Sequence, residues 1–170
     1  MTPPPEVRLL AATVPLLDAL VADPAVFADL IGSPVPAGWP EFPEAIGFTA
    51  EQLRTAPADE LPWTMQFFLD TATGRLVGSG GFATAPRDRT VEIGYEVAPE
   101  FRGLGFGSAA ARALVGQAVA SGEVDRVVAH TLPGPGPSTG VLASLGFAHV
   151  GEQEDPEVGV VWEWSWSRPA

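Results

Sequence analysis

The segment from residue 90 to residue 122 most constrains the fold, because a strand pattern, a glycine-rich run and a helix pattern follow one another there. Residues 90–97 (TVEIGYEV) alternate apolar and polar side chains, as in a strand with one buried face. The glycine run, residues 102–108 (RGLGFGS), comes next, and residues 107–121 are predicted to form an alanine-rich helix that Gly122 ends. This order is typical of α/β proteins.

The rest of the chain extends this unit into a mixed sheet. We predict strands at residues 6–12, 63–69, 76–83, 124–131, 147–153 and 158–166, and helices at 14–21, 24–31, 49–56 and between Ser138 and Gly146. Residues 33–47 contain four prolines and are predicted to be a long irregular loop. A length of 170 residues and a hydrophobic fraction of 46% predict one domain, residues 1–170, with a substantial core.

The charge balance narrows the range of partners. Nine arginines and no lysine stand against 21 acidic residues, a formal net charge of −12, so we expect a cationic substrate and neither nucleic acid nor a membrane. The chain has no cysteine, and His130 and His149 are its only histidines, so we predict no metal centre and a packed or hydrogen-bonded His130. No signal peptide and no apolar run of about 20 residues is evident, so we expect a cytoplasmic protein.

The glycine run carries the strongest chemical signal. Glycines at 103, 105 and 107 leave backbone N–H groups uncovered, because no Cβ stands in front of them. The helix that begins there adds unpaired N–H donors and a partial positive charge, and Arg102 adds a full one. The run is therefore suited to binding phosphate groups.

Glycine-rich loops also occur in P-loop and dinucleotide-binding proteins. A P-loop requires a Gly-Lys-Ser/Thr sequence, and the absence of lysine excludes it. A dinucleotide site requires Gly-x-Gly-x-x-Gly near the first strand, whereas this run is Gly-x-Gly-x-Gly beyond residue 100. Glu123 lies about 20 residues further on, so a nucleotide-binding protein stays open, as does a glycine turn that binds nothing.

Together with its neighbours, the glycine run resembles a known family. Residues 92–107 (EIGYEVAPEFRGLGFG) resemble the coenzyme A-binding motif of the GNAT acetyltransferases, Arg/Gln-x-x-Gly-x-Gly/Ala after a strand, and residues 129–133 with 138–147 resemble its second signature. Residues 38–43 and 76–82 are similar to the RimJ/RimL-like branch. The resemblance implies a GNAT fold, with six to seven strands in a mixed sheet splayed at the cofactor site and helices on both faces. It also implies acetyl transfer from acetyl-coenzyme A to a primary amine, without a metal.

The resemblance assigns the coenzyme site to backbone groups. The pyrophosphate would be bound by the amides of Arg102, Gly103, Leu104, Gly105, Phe106, Gly107 and Ser108. The N–H of Val97 would lie near the thioester carbonyl. Gly94, inside a strand, is expected to mark a bulge that separates two strands.

Acetyl transfer requires an uncharged amine and therefore a base. At pH 7 a lysine-type amine costs roughly 4–5 kcal/mol to deprotonate and an α-amine about 1 kcal/mol. Glu92 matches the position of a strand glutamate that serves as base in some family members, and Glu96 lies on the same face. The alternative is that both carboxylates only line a polar face that attracts a cationic amine.

Three positions depart from the family pattern. Leu142 stands where many relatives have a tyrosine that protonates the leaving thiolate, Gly136 replaces an asparagine, and Gly140 replaces an arginine. Ser138 is our candidate proton donor, with a helix N-cap as its alternative role. The departures leave open a second function, a non-catalytic acyl-coenzyme A-binding sensor or partner module.

Aromatic and acidic side chains are the candidates for binding the amine, since both attract an ammonium group. They are Trp39, Glu41, Phe42, Glu44 and Trp63, together with Glu96. The proline-rich loop that carries four of them is alternatively a rigid cover over the core. Tryptophans alternate at 162, 164 and 166 on the last strand, as expected for a core or for an interface, which leaves a homodimer open.

Overall fold

The computed structural model describes residues 2–170, which contain seven strands and five α-helices. Their bounds are β1 (Val7–Ala11), α1 (Val14–Ala22), α2 (Pro24–Ile31), α3 (Glu44–Thr55), β2 (Met65–Asp70), β3 (Leu76–Phe82), β4 (Thr90–Val97), α4 (Phe106–Ala120), β5 (Arg126–Thr131), α5 (Pro137–Ser144), β6 (Ala148–Asp155) and β7 (Gly159–Ser167). The strands form one mixed sheet, as predicted, and their order in the sheet is β1-β2-β3-β4-β5-β7-β6. All neighbouring pairs are antiparallel except β4 and β5, which are parallel.

The pairing of β4 with β5 is short. It runs from Thr90 opposite Arg126 to Glu92 opposite Val128, although both strands continue beyond those residues. Along its other edge β4 stays paired with β3 as far as Val97, without a register shift. The splayed sheet is therefore confirmed, and the gap between the two strands is called the slot. The bulge expected at Gly94 is not seen in the pairing with β3, because the slot opens through divergence of β5.

Helices cover both faces of the sheet, as predicted. Residues of α3 border the face of β4 that carries Glu92. Helix α4 packs on the opposite face, where Gly107 lies beside the Tyr95 ring. The core between these layers contains fully buried aromatic and aliphatic side chains, among them Phe67, Phe68 and Leu114. Strand β4 therefore presents alternate side chains to two different environments.

Three local predictions were wrong at their boundaries. Helix α3 begins at Glu44 and not at residue 49, because Pro43 already has helical dihedral angles and an acidic residue suits the first turn. Trp63 lies in a 3₁₀ turn before β2 and not in the strand. The N-cap of helix α5 is Gly136, so Ser138 is not the cap. Pro137 takes the first helical position, where proline is favoured because its fixed φ fits the helix.

Across residues 2–170, the helices are all too short or too polar to cross a lipid bilayer.

Candidate active site

The glycine run presents a row of unpaired backbone donors. Within residues 2–170, none of the six N–H groups from Gly103 to Ser108 has a protein acceptor, and the first bond of the following helix runs from Ala109 N to Gly105 O (3.1 Å). Gly103 and Gly105 have φ values of 75° and 95°, a left-handed conformation that glycine adopts without strain. Six consecutive unpaired amides at the start of a 15-residue helix are the arrangement that suits an anion.

Side chains fix this run in place. The Arg102 Nε donates to the carbonyl oxygen of Val97 at 3.0 Å, which ties the glycine run to the end of β4. Phe106 is buried and packs edge-on against Phe101, with ring centroids 5.7 Å apart, so it anchors the first turn of α4. Leu104 is exposed at the tip. Six of the seven predicted phosphate-binding amides, from Gly103 to Ser108, are therefore brought together without a protein acceptor. The seventh is not among them, because Arg102 N donates to Pro99 O (3.3 Å).

Strand β4 directs its odd-numbered amides toward the slot. Ala98 N donates to Val77 O (2.8 Å) and Glu92 O accepts from Ala83 N (3.0 Å), so even-numbered positions bond to β3. In an antiparallel ladder the intervening residues bond on the opposite side. The N–H of Val97 therefore points toward the side from which β5 has diverged, as the prediction for this residue requires.

On the α3 face of β4, two cavities lie next to each other and are together called the carboxylate groove. One, of about 330 Å³, includes Glu92 and Trp63 in its lining; the other, of about 350 Å³, includes Glu41, Phe42 and Glu96. Both cavities share three lining residues, Thr49, Met65 and Gly80. The charged residues that line the groove are all acidic, so it is suited to a cation.

Glu96 connects the groove to the proline-rich loop. Its Oε2 accepts a hydrogen bond from the backbone N of Glu41 (3.2 Å), and the Ser79 hydroxyl lies 3.5 Å from its Oε1. Burial raises the pKa of Glu96 above that of an ordinary glutamate, and the nearby Glu41 charge adds to this, while the two hydrogen bonds oppose it. Glu96 therefore holds the loop against the sheet and contributes a charge that depends on pH.

Glu92 is bonded to a histidine from the neighbouring strand. Its Oε1 lies 2.8 Å from Nδ1 of His130, and the Glu92 side chain is 42% exposed. The Nε2 atom of His130 lies 3.4 Å from Oε2 of Glu163 on β7. The prediction of a hydrogen-bonded His130 is confirmed. Its contacts with two carboxylates were not predicted, because the strand order decides which residues meet across a sheet.

Some predicted residues lie apart from the groove. Trp39 is only 4% exposed and packs in the core against Phe27 and Phe67, and its Nε1 donates to the Ser79 hydroxyl at 3.0 Å. It therefore supports Ser79, which in turn contacts Glu96, and does not line the groove. Glu44 lies in the first turn of α3.

Helix α5 carries Ser138, the predicted proton donor for the leaving thiolate, and Leu142, which stands at the tyrosine position of many relatives. Ser138 is exposed in the first turn of α5, and Leu142, one turn later, is buried in the core. Tyr95 was not predicted as a site residue. Its hydroxyl is buried without a hydrogen-bond partner among the described residues, and burial raises its pKa to about 12. The available signal was a tyrosine among the apolar positions of β4, since the polar tip of a buried tyrosine normally needs a partner.

Solved structures share this arrangement of strands and helices. A RimL ribosomal L7/L12 α-N-protein acetyltransferase in complex with coenzyme A has a TM-score of 0.69 at 17% identity, covering 96% of this chain and 94% of that one. RimJ of Mycobacterium smegmatis in complex with coenzyme A-disulfide has a TM-score of 0.63 at 18% identity, covering 97% and 86%. The microcin C7 self-immunity acetyltransferase MccE, in complex with acetyl-coenzyme A and AMP, has a TM-score of 0.65 at 19% identity, covering 95% and 92%.

Similarity at the level of sequence is to a family and not to individual proteins. No curated protein sequence matches the chain. The family model described as the acetyltransferase (GNAT) domain matches residues 11–148, which is most of the chain. This protein therefore belongs to the GNAT acetyltransferase family.

Proposed function

We propose that this acetyltransferase moves the acetyl group of acetyl-coenzyme A to a primary amine and that it lies within the RimJ/RimL-like branch. The observation that carries the proposal is the row of six unpaired amides at residues 103–108, placed where the slot beside β4 ends. These amides would bind the pyrophosphate. The arm of the coenzyme would follow β4 into the slot, and the N–H of Val97 would meet the thioester carbonyl.

The carboxylate groove supports a cationic acceptor. It brings Glu41, Glu92 and Glu96 to the α3 face of the strand that borders the slot. The net charge of −12 favours the same class of substrate at longer range. A protein α-amine and a small-molecule amine both fit, and the similar structures include a ribosomal L7/L12 α-N-protein acetyltransferase and a microcin C7 self-immunity acetyltransferase.

The chemistry follows from these positions. Glu92 accepts a proton from the ammonium group, and the free amine attacks the thioester carbonyl while both substrates are bound. The N–H of Val97 donates to the carbonyl oxygen as negative charge develops there. The leaving group is a thiolate, and a thiol such as that of cysteine has a pKa of only about 8.5, so it departs with little assistance. Ser138 stays the candidate for donating its proton.

A panel of amines tests the proposal. Release of the coenzyme A thiol is measured with monoamines, diamines and peptides with free α-amines, and N-acetylated peptides serve as the control. We expect turnover with cationic amines and none with the blocked peptides. Binding of acetyl-coenzyme A without turnover of any amine would indicate the sensor function instead. Thermal stabilisation by NAD or ATP but not by coenzyme A would indicate a nucleotide-binding protein.

The raised pKa of Glu96 predicts a pH-dependent affinity for the acceptor. Because this carboxyl protonates at a higher pH than an ordinary glutamate, its negative charge is lost earlier as the pH falls. We expect the KM of a cationic amine to rise about 3- to 10-fold through that range, the effect of losing one partly exposed charge. In the Glu96→Gln variant, KM should be high throughout and independent of pH there.

An aromatic amine, which is uncharged over the same range, is the control for this effect. Its KM should not change with the charge state of Glu96. If the KM of the cationic amine had the same pH profile in wild type and Glu96→Gln, Glu96 would have no part in acceptor binding.

A further inference from the structure

The buried hydroxyl of Tyr95 belongs to the strand that borders the slot, and it has no hydrogen-bond partner within residues 2–170. Tyr95 lies in the stretch of β4 that follows Glu92, where β5 no longer pairs with β4. On the other edge its main chain is paired with Gly80 of β3. Buried polar groups in folded proteins nearly always have a partner, so this hydroxyl requires an explanation.

The ring of Tyr95 reaches the first turn of α4. A Cβ built on Gly107 would lie 4.0 Å from Cε2 of the ring, and Cε2 is bonded to the carbon that carries the hydroxyl. The same Cβ would lie 3.5 Å from a methyl group of Val141, so this end of the ring lies where α4 and α5 meet. Tyr95 therefore connects the slot, which its backbone borders, with the glycine run, which the hydroxyl end of its ring approaches.

No protein group accounts for this hydroxyl. Burial alone raises the pKa of Tyr95 to about 12, without a contribution from a neighbouring charge or hydrogen bond. At neutral pH the group is therefore protonated and available as a hydrogen-bond donor. The nearby first turn of α4 offers unpaired N–H groups, which are donors themselves and cannot accept its proton. The hydroxyl therefore needs an acceptor from outside the protein.

We propose, on the basis of the acetyl-transfer function above, that the Tyr95 hydroxyl donates a hydrogen bond to an amide carbonyl of the coenzyme arm. The unpaired amides at residues 103–108 and the end of β4 at Val97 mark the two ends of the path of this arm. The ring of Tyr95 lies along that path, since it starts two residues before Val97 and ends beside Gly107. Carbonyl oxygens of the arm are the acceptors that the hydroxyl lacks.

The thioester sulfur is the other acceptor within the coenzyme, and kinetics separate the two. A hydrogen bond to an amide carbonyl of the arm is the same before and during the reaction, so its loss raises Kd and leaves kcat unchanged. A hydrogen bond to the sulfur would strengthen as the thiolate forms, and its loss would lower kcat. Tyr95 is thus assigned to coenzyme binding and not to movement of a proton.

The Tyr95→Phe variant removes the hydroxyl and keeps the ring. We expect the Kd for coenzyme A to rise about 3- to 10-fold, the effect of one neutral hydrogen bond, and kcat to stay at the wild-type value. The Kd for the phospho-ADP half of coenzyme A, which has the pyrophosphate but no arm, should not change. Without ligand the variant should melt about 2–4 °C above wild type, because a buried hydroxyl without a partner has been removed.

Ser33→Ala is the matched control, because it also removes one buried hydroxyl. This hydroxyl has partners, since it accepts from Leu76 N (2.8 Å) and donates to Pro34 O (3.0 Å). Leu76 begins β3, which β4 separates from the slot. We expect Ser33→Ala to melt below wild type and to bind coenzyme A with the wild-type Kd. An unchanged Kd in Tyr95→Phe, or a lower kcat at an unchanged Kd, would overturn the proposal.

A spectroscopic measurement tests the same hydrogen bond without an acceptor amine. Tyr95 is the only tyrosine of the chain, so ¹³C labelling of tyrosine at Cζ gives a single NMR signal. We expect this signal to move when coenzyme A binds and to stay in place with the phospho-ADP half. A signal that stayed in place while coenzyme A bound would overturn the role of Tyr95 and leave the acetyl-transfer function intact. Failure of wild type to bind coenzyme A would overturn both.

Discussion

Gly103→Ala is expected to weaken coenzyme A binding by about 10- to 100-fold, the equivalent of losing one or two charge-assisted hydrogen bonds of about 1.5–3 kcal/mol each. Gly103 has a φ of 75°, which an alanine adopts only with strain. An added Cβ meets no protein atom within 4 Å, so the change does not disturb packing. The strain would move the backbone that carries the unpaired amides. Isothermal titration with coenzyme A measures the resulting increase in Kd.

Gly122→Ala is a matched control for this variant. Gly122 follows the other end of α4 with a φ of 77°, and a Cβ there also meets no atom within 4 Å. Both variants should lose a similar amount of thermal stability, but only Gly103→Ala should lose affinity. Gly105 is less suitable, because its Cβ would lie 3.1 Å from Pro5. Equal affinities for the two variants would remove the glycine run from coenzyme binding.

Glu92→Gln is expected to lower kcat for a protonated amine by about 100- to 1000-fold, within the range of general-base catalysis. Glutamine keeps the size of the side chain and can still bond to His130, so the fold should be preserved. The coenzyme site is built from backbone groups of another segment, and its Kd should therefore stay within about twofold of wild type.

The control for Glu92→Gln is Glu154→Gln, which removes a negative charge from the exposed strand β6 and leaves the net charge of the two variants equal. Steady-state kinetics over a range of pH, together with direct binding of acetyl-coenzyme A, measure both effects. If turnover of Glu92→Gln matched that of wild type at every pH, another group or a water molecule would have to accept the proton.

Local patterns were sufficient to predict the elements around the glycine run. The alternation of residues 90–97, the glycine spacing and the alanine-rich helix each depend on neighbours in sequence, and β4 and α4 form there. The boundary errors came from competing local signals. A serine and a proline are adjacent at the start of α5, and the proline took the first-turn position while a glycine became the cap.

Side-chain contacts between segments far apart in sequence could not be predicted from the sequence. Trp39 lies in a proline-rich loop that was predicted to bind an amine, but its ring is buried against residues 27 and 67. The contacts of His130 with Glu92 and Glu163 join residues 38 and 33 positions apart. The first contact requires β5 to lie parallel beside β4, and the second requires β7 to lie antiparallel beside β5. Hydrophobic periodicity does not encode this strand order.

Within residues 2–170, the three residue pairs between β4 and β5 are the whole of the backbone ladder that joins strands β1–β4 to strands β5–β7. A pantetheine arm in the slot, with amides of its own, would face the β4 groups that β5 leaves unpaired and would serve as a surrogate strand. The free energy of unfolding should then rise with the concentration of coenzyme, since a ligand that binds only the folded chain stabilises it. Coenzyme bound in the slot would thus stabilise the sheet at its shortest strand pairing.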